Sequence, residues 1–342
     1  VSLLDRLGVT DAVCFGSECN DLDSLWDIAR ILLDEPEAYK ESLREALKNG
    51  QSYPAARKKA VSDYTGNERL ASLLDDPNNI LGIEYLKALR RLNSSMVPYT
   101  ILRKGSHYHD SSINGRFSSA SAIRSLLAYS SSSLRTDRSG GSFDDTPFSN
   151  ILGVLEEQVP ACCLELLKDC HKVLYPVYQN DFSLILKYKL LNKQPEDLTR
   201  YLDVSGELAN RICSQLNNFF NYKQFCELLK TREITHARIS RALLHIMLGI
   251  KTKNVQEYID GGWHFYARLL GFRKDRVKLL SLLSEKSSLP VLTRLSESAV
   301  LPAPGRQMLR NDLLASNLYN SVVTDKFKTA FQNEYKQEVI KL

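Results

Sequence analysis

The sequence predicts a parallel, doubly wound α/β domain followed by an all-helical domain. Three observations carry that expectation. Short apolar runs alternate with helical patterns through residues 1–129, and strands separated by helices make parallel sheets. Residues 130–150 open with "SSSSLRTDRSGGSFDDTP", a Ser-, Gly- and Asp-rich stretch with too little apolar content to order itself, so it reads as a flexible loop or linker. Residues 151–342 lose the strand signal and keep the helical period.

Taken in order, "VSLLDRLG" reads as the second half of a helix closed by Gly8. The chain is therefore expected to lack residues upstream of Val1, and its α/β domain to be incomplete at the N-terminus. "DAVCFG" (Asp11 to Gly16) is a short apolar run ending in Gly, a buried strand. "DLDSLWDIARILLDE", "EPEAYKESLREALKNG" and "SYPAARKKAVSDY" are helices. Pro36 sits near the start of the second and Gly50 just past its end, while Ser52 and Pro54 suit the first turn of the third. "NILGIEYLKALRRL" is a fourth helix and "VPYTILRKG" (Val97 to Gly105) the next strand. "SSASAIRSLLAYS" opens a further helix with Ser118 or Ser119 as cap. Beyond the linker, "LEEQVPACCLELLKDC", "FSLILKYKLLN", "GELANRICSQLNNF", "YKQFCELLKTR", "THARISRALLHIMLGI", "VKLLSLLSEK" and "VTDKFKTAFQNEYKQEVIKL" read as amphipathic helices.

Composition sets the outer bounds. A chain of 342 residues allows two domains, and 43% hydrophobic with 25% charged residues is ordinary for a soluble globular protein. No apolar run approaches the length of a membrane span, and the first residues carry no signal-peptide pattern. The net charge of +5 permits a nucleic-acid partner without demanding one. Seven cysteines without a regular framework suggest reduced thiols in the cytosol. Cys162, Cys163, Cys170 and His171 fit no standard zinc spacing. They lie in an apolar helical segment, where Cys behaves as a small core residue. No metal site is assigned.

In open α/β sheets ligands bind beyond the carboxyl ends of the strands. Three clusters converge there. "CFGSE" ends the first strand: Gly16 allows close backbone approach and Ser17 and Glu18 offer polar groups, although an ordinary turn would read the same. "PNN" opens a helix with two amides, Asn78 and Asn79. One Asn suffices as an N-cap, and the positive helix end favours anions, so the other is free to hold a ligand. "TILRKGSHYHD" and "SSASAIR" bring Arg103 and Lys104 to a strand end, and Ser118, Ser119, Ser121 and Arg124 to a helix start. Such groups suit a nucleotide phosphate, or equally a solvated charge and plain capping. His107 and His109, with Asp110 nearby, could bind metal or transfer protons, but no third ligand has a defensible spacing. Neither a Walker A motif nor G-x-G-x-x-G is present.

In the helical part, Arg238, Arg241 and His245 are spaced by three and four and form one helix stripe suited to a phosphate backbone. Lys230, Arg232, Lys251 and Lys253 flank it, and Arg268, Arg273, Lys274, Arg276 and Lys278 follow. A solvated face with local ion pairs is the alternative. Tyr222 and Tyr266 could stack on bases, or belong to the core.

Together, "SLLDRLGVTDAVCFGSE", "PNNILGIEYLKAL", "VPYTILRKGSHYHD", "SSASAIR" and "THARISRALLHIMLGI" resemble the bacterial tRNA(Met) cytidine acetate ligase family, in order from Val1 to the chain end. The resemblance implies a nucleotidyltransferase-like, Rossmann-like domain followed by a helical domain that helps hold tRNA. It implies that ATP, with Mg2+, activates acetate to acetyl-adenylate. The acetyl group then passes to the wobble cytidine of elongator tRNA(Met), giving N4-acetylcytidine in the cytoplasm. Carried over residue by residue, the family's ATP-site Asn falls on Asn78 and its strand-end Arg on Arg103. Lys104, Ser119, Ser121 and Arg124 are second-rank candidates, and Asn79 is read as structural. The family's histidine-bearing phosphate motif and a further ATP-contacting Gly would lie upstream of Val1. The chain as it stands is therefore expected to be inactive. A nucleotidyltransferase acting on a small molecule and a non-catalytic tRNA-binding protein remain the alternatives.

Overall fold

The two apolar runs read as strands do pair, in parallel. Strand β1 (Ala12–Ser17) lies beside β2 (Val97–Leu102), in register from Ala12↔Val97 to Ser17↔Leu102. The computed structural model describes residues 1–103, 118–132, 146–231 and 233–342. It divides into two compact units, Val1–Leu164 and Glu165–Leu342.

The first unit begins with α1 (Ser2–Leu7), which Gly8 closes at φ 67. Between the strands run α2 (Leu22–Asp34), α3 (Glu37–Lys48), α4 (Tyr53–Thr65), α5 (Glu68–Ser72) and α6 (Pro77–Leu92). Leu25, Ile28, Ala29 and Leu32 make one buried stripe on α2, which packs on Ile83, Leu86 and Leu89 of α6. The spacing of three and four puts each set on one helix face. Gly82 lets the strand approach α6: a Cβ there would stand 2.4 Å from Cε2 of Phe15. The Phe15 ring also meets Tyr85 edge-on at 5.8 Å. Strand residues alternate between faces, so Val97, Tyr99 and Ile101 lie opposite Phe15, and they are at least half exposed. Helix α7 (Ala120–Ser132) packs on α8 (Thr146–Glu156), and the Ser118 N–H donates to Gln158 Oε1 at 3.0 Å. Residues 151–164, whose texture groups them with the helical region, thus belong to the first unit. The segment "LEEQVPACCLELLKDC" is two helices, not one. It breaks before Pro160, and α9 (Ala161–Cys170) starts afresh, because a residue preceding proline is pushed out of the helical region.

The second unit is helical. Its core is built from α10 (Ser183–Leu191), α11 (Pro195–Leu198), α12 (Gly206–Gln215), α13 (Tyr222–Leu229) and α14 (His236–Leu248). Phe219 and Phe225 stack at 4.4 Å inside it. Then follow α15 (Thr252–Asp260), β3 (Ala267–Arg268), β4 (Gly271–Phe272), α16 (Lys278–Lys286), β5 (Val291–Leu292), α17 (Ala303–Phe327) and β6 (Ile340–Lys341). The short strands form two parallel ladders, β3 with β5 and β4 with β6. The expected helix over "VTDKFKTAFQNEYKQEVIKL" ends at Phe327, where Lys328 turns left-handed at φ 57. Glu334 then bonds to Arg268 at 2.7 Å and to Ser316, and β6 joins β4. Tertiary pairing overrides the helical period there. Among the described residues no helix is long and apolar enough to cross a membrane.

Candidate functional site

The turn after β1 is held by side chains from 60 residues away. Asn79 is fully buried, and its Oδ1 accepts from the Glu18 N–H at 2.9 Å and the Cys19 N–H at 3.2 Å. Its Nδ2 donates to Asp76 at 3.3 Å. Ser17, equally buried, shares a 2.6 Å bond with the Thr100 hydroxyl and accepts from the Asn20 N–H at 3.0 Å. Glu18 answers in the other direction. Its Oε2 accepts from the Asn79 N–H at 3.0 Å and its Oε1 from Asn78 Nδ2 at 2.6 Å.

This corrects the capping expectation. The N-cap position of α6 belongs to Asp76, with Pro77 in the first turn, and neither asparagine side chain caps the helix. The carboxylate of Glu18 reaches across from β1 and takes the free first-turn N–H, where an anion would otherwise sit. Asn79 is structural, as the sequence suggested. Asn78, half-buried, has its amide nitrogen committed to Glu18. The sequence offered Ser17 and Glu18 as polar groups in "CFGSE" but not what they meet. Their partners lie on α6 and β2, far away in sequence.

Arg103 follows β2 directly. Its backbone N–H donates to the Ser17 carbonyl at 2.9 Å. A Cβ on Gly16 would stand 3.1 Å from Arg103 Cγ, so the glycine makes room for the arginine stem. The side chain is exposed and has no ion pair among the described residues. Arg103, bonded to Ser17, and Asn78, bonded to Glu18, therefore both reach the end of β1. Lys104, His107, His109 and Asp110 lie outside the described residues.

At the start of α7, Ser119 is buried, and its Oγ accepts from the Ala122 N–H at 3.0 Å, the expected cap. Arg124 donates to Ser121 Oγ at 3.1 Å, so these two polar groups address each other along the helix.

The arginine stripe on α14 is tied to an acid. Arg241 Nε donates to Asp203 Oδ2 at 2.6 Å, and His245 Nδ1 stands 3.4 Å from the same oxygen. His245 Nδ1 is also 3.1 Å from the Leu202 carbonyl, which only accepts, so that nitrogen carries the proton. The Arg241 hydrogen bond, reinforced by the Arg241, His245 and Arg238 charges, holds the Asp203 carboxyl below the usual carboxylate range. Arg238 is exposed and has no ion pair among the described residues. Arg232 lies outside them. Arg273 and Arg276 both bind Asp275, and Arg268 binds Glu334. Lys251 and Lys253 are exposed. Tyr222 and Tyr266 are not stacking surfaces. Tyr222 is buried with its hydroxyl on the Ser240 carbonyl at 2.7 Å, and burial pushes its phenol up to about 12. Tyr266 bonds Asp312. The exposed aromatic rings of this unit include Tyr188 on α10 and Phe220.

The cysteine expectation also changes. Cys162 and Cys163 are exposed, not core residues, and Cys170 is half-buried. Among the described residues no three His, Cys, Asp or Glu side chains come together as a metal site.

Known proteins share this architecture. Residues 1–335 match the profile of the HIGH Nucleotidyl Transferase family. The chain is 36% identical to the tRNA(Met) cytidine acetate ligase of Acetivibrio thermocellus over 99% of its own length and 79% of that protein. It is 32% identical to the enzyme of the same name from Alkaliphilus metalliredigens, over 93% of this chain and 73% of that one. The crystal structure of apo Thermotoga maritima TmcAL is similar to it with a TM-score of 0.82 at 27% identity, covering all of this chain and 79% of that one. The same protein bound with alpha-thio ATP is similar with a TM-score of 0.80. The chain spans 73–79% of the length of these relatives.

Proposed function

The chain belongs to the tRNA(Met) cytidine acetate ligases of the HIGH nucleotidyl transferase family, and from that premise we propose that it is an ATP-dependent ligase joining acetate to a cytidine of tRNA(Met). The observation that carries the reading is 36% identity over 99% of the chain to a ligase of that name. A solved relative bound with alpha-thio ATP supports ATP as the co-substrate.

The chemistry proceeds in two transfers. An acetate oxygen attacks the α-phosphorus of ATP, the bond to the β-phosphate oxygen breaks, and pyrophosphate leaves. The exocyclic amine of the wobble cytidine in elongator tRNA(Met) then attacks the acyl carbon of acetyl-adenylate. AMP leaves, a proton is lost from nitrogen, and N4-acetylcytidine forms. On this chain, Arg103 offers an exposed guanidinium to the phosphates at the end of β2, and Asn78 meets the nucleotide beside it. Ser121 and Arg124 on α7, and Lys104, are further phosphate candidates, whereas the Ser119 hydroxyl is already a cap. Mg2+ would enter on the ATP phosphates. The α14 ridge of Arg238, Arg241 and His245 would meet the tRNA backbone, with Arg238 the group most ready to do so. Cytoplasm is where these substrates occur together.

Acetate-dependent ATP–pyrophosphate exchange, followed by mass analysis of tRNA nucleosides, tests the reading. Exchange that needs acetate, with an acetylated cytidine, supports it. An adenylylated small molecule, or RNA binding without ATP turnover, would favour the two alternatives. Arg103→Ala is expected to weaken ATP binding by about 1.5–3 kcal/mol, as loss of a charge-assisted bond does. Unchanged affinity would move the phosphates elsewhere.

A further inference from the structure

The orientation of the Asn78 amide is set by chemistry. An ionised carboxylate only accepts hydrogen bonds, and Glu18 Oε1 is 2.6 Å from the Asn78 amide. The nitrogen must therefore face Glu18, which leaves Asn78 Oδ1 as the atom turned away from that bond. Glu18 itself is pinned, because its Oε2 accepts from the Asn79 N–H while its own N–H donates to buried Asn79. This end of the turn thus presents an acceptor and a negative charge. The other end carries Arg103, whose stem crosses Gly16. A phosphate placed on the α6 N-terminus would face the Glu18 carboxylate, whereas a hydroxyl or amino group would find an acceptor.

We infer that Glu18 is a specificity-determining positioning residue. It turns Asn78 Oδ1 toward the nucleoside end of ATP, where Asn78 accepts from a ribose hydroxyl or the 6-amino group, and its charge directs the triphosphate to Arg103. The inference rests on the ATP site proposed above. It assigns to "PNN" the reading of hydrogen-bond donors, not the anion binding that a helix start suggests.

Dissociation constants for ATP, inosine triphosphate, 2′-deoxyATP and 3′-deoxyATP, measured on the wild-type chain and on Glu18→Gln, Asn78→Ala and Arg103→Ala, test it. Inosine triphosphate lacks the amino group and each deoxy analogue lacks one hydroxyl, so the weak analogue identifies the donor. In the wild type, one analogue should bind about tenfold more weakly than ATP, the usual cost of an unmade bond in a site built for it. In Glu18→Gln the new amide can donate to Asn78 Oδ1. The gap should shrink to about threefold or less there and in Asn78→Ala, as coupled partners require. Arg103→Ala should weaken all four nucleotides alike and keep the gap. Midpoints of thermal unfolding without nucleotide check that each variant folds.

An unchanged gap in Glu18→Gln overturns the inference, as does one common loss for all four nucleotides, which is what a merely structural role would give. Equal binding of all four by the wild type also overturns it. If Arg103→Ala and Asn78→Ala both leave ATP binding intact, the proposed ATP site falls as well, which separates the two failures.

Discussion

Two places in this chain promise an anion from their sequence, and in both an acid from elsewhere has come to the positive group. At the start of α6 it is Glu18, and on the α14 ridge it is Asp203. The difference lies in burial. Glu18 belongs to a reciprocal network with Asn79, which is fully buried and satisfies two backbone N–H groups. Asp203 meets an arginine whose side chain is 56% exposed. A buried polar network holds its partners, because an unmade bond there costs the full desolvation of the group. An exposed ion pair is screened by water and salt and exchanges readily. The first acid is therefore architecture. The second is a counter-ion on an exposed ridge.

The largest effect expected from this contrast is Asn79→Ala. It removes the buried acceptor of the Glu18 and Cys19 N–H groups in a half-buried turn and should cost about 2–4 kcal/mol, read as a lower denaturant midpoint. Asp203→Ala should cost below about 1 kcal/mol, the usual range for exposed pairs. Equal losses would break the contrast. Gly82→Ala comes next. Its Cβ would stand 2.4 Å from the Phe15 ring, and overpacking of this kind costs about 1–3 kcal/mol. A smaller partner, Phe15→Leu, should recover part of that loss in the double variant, and purely additive losses would refute the contact.

On the ridge, replacing Arg238 and Arg241 together should lower RNA affinity. The slope of log affinity against log salt should then become shallower by about 2, one for each lost phosphate contact. Asp203→Asn should act oppositely and raise RNA affinity by about threefold at low salt, because a competing charge is gone. RNA binding indifferent to all three positions would make the ridge structural.

The smallest effect is on pH. The Asp203 carboxyl is held below its ordinary value, first by the Arg241 hydrogen bond. Its contribution to stability is therefore present above the unfolded carboxylate value of about 3.9 and lost as pH falls through the lower folded value. The difference in midpoint between wild type and Asp203→Asn should shrink as pH falls below about 4. A difference that grows on acidification would reverse the assignment.

Much of the fold was legible because it is written locally. Gly8 closes α1, Ser119 caps α7, and the buried stripe of α2 follows its apolar spacing. The break before Pro160 was there to be read, since proline restricts the residue ahead of it. The chain after Phe327 was not. Its periodicity is helical, yet Glu334 finds Arg268 and Ser316, and β6 finds β4. The exposed cysteines of α9 were misread for a related reason, since an apolar segment does not say which of its faces another helix covers.

The candidate site divides the same way. The residue types at the strand ends and the stripe on α14 came from the sequence alone, because strand ends and helix faces follow from spacing. Which polar group answers which did not. Glu18 and Asn79 are 61 residues apart, and Asp203 and Arg241 are 38 apart. Local spacing sets where a side chain leaves the backbone. Only the folded chain decides what it meets there, and so whether a positive group is already satisfied or still open to a ligand.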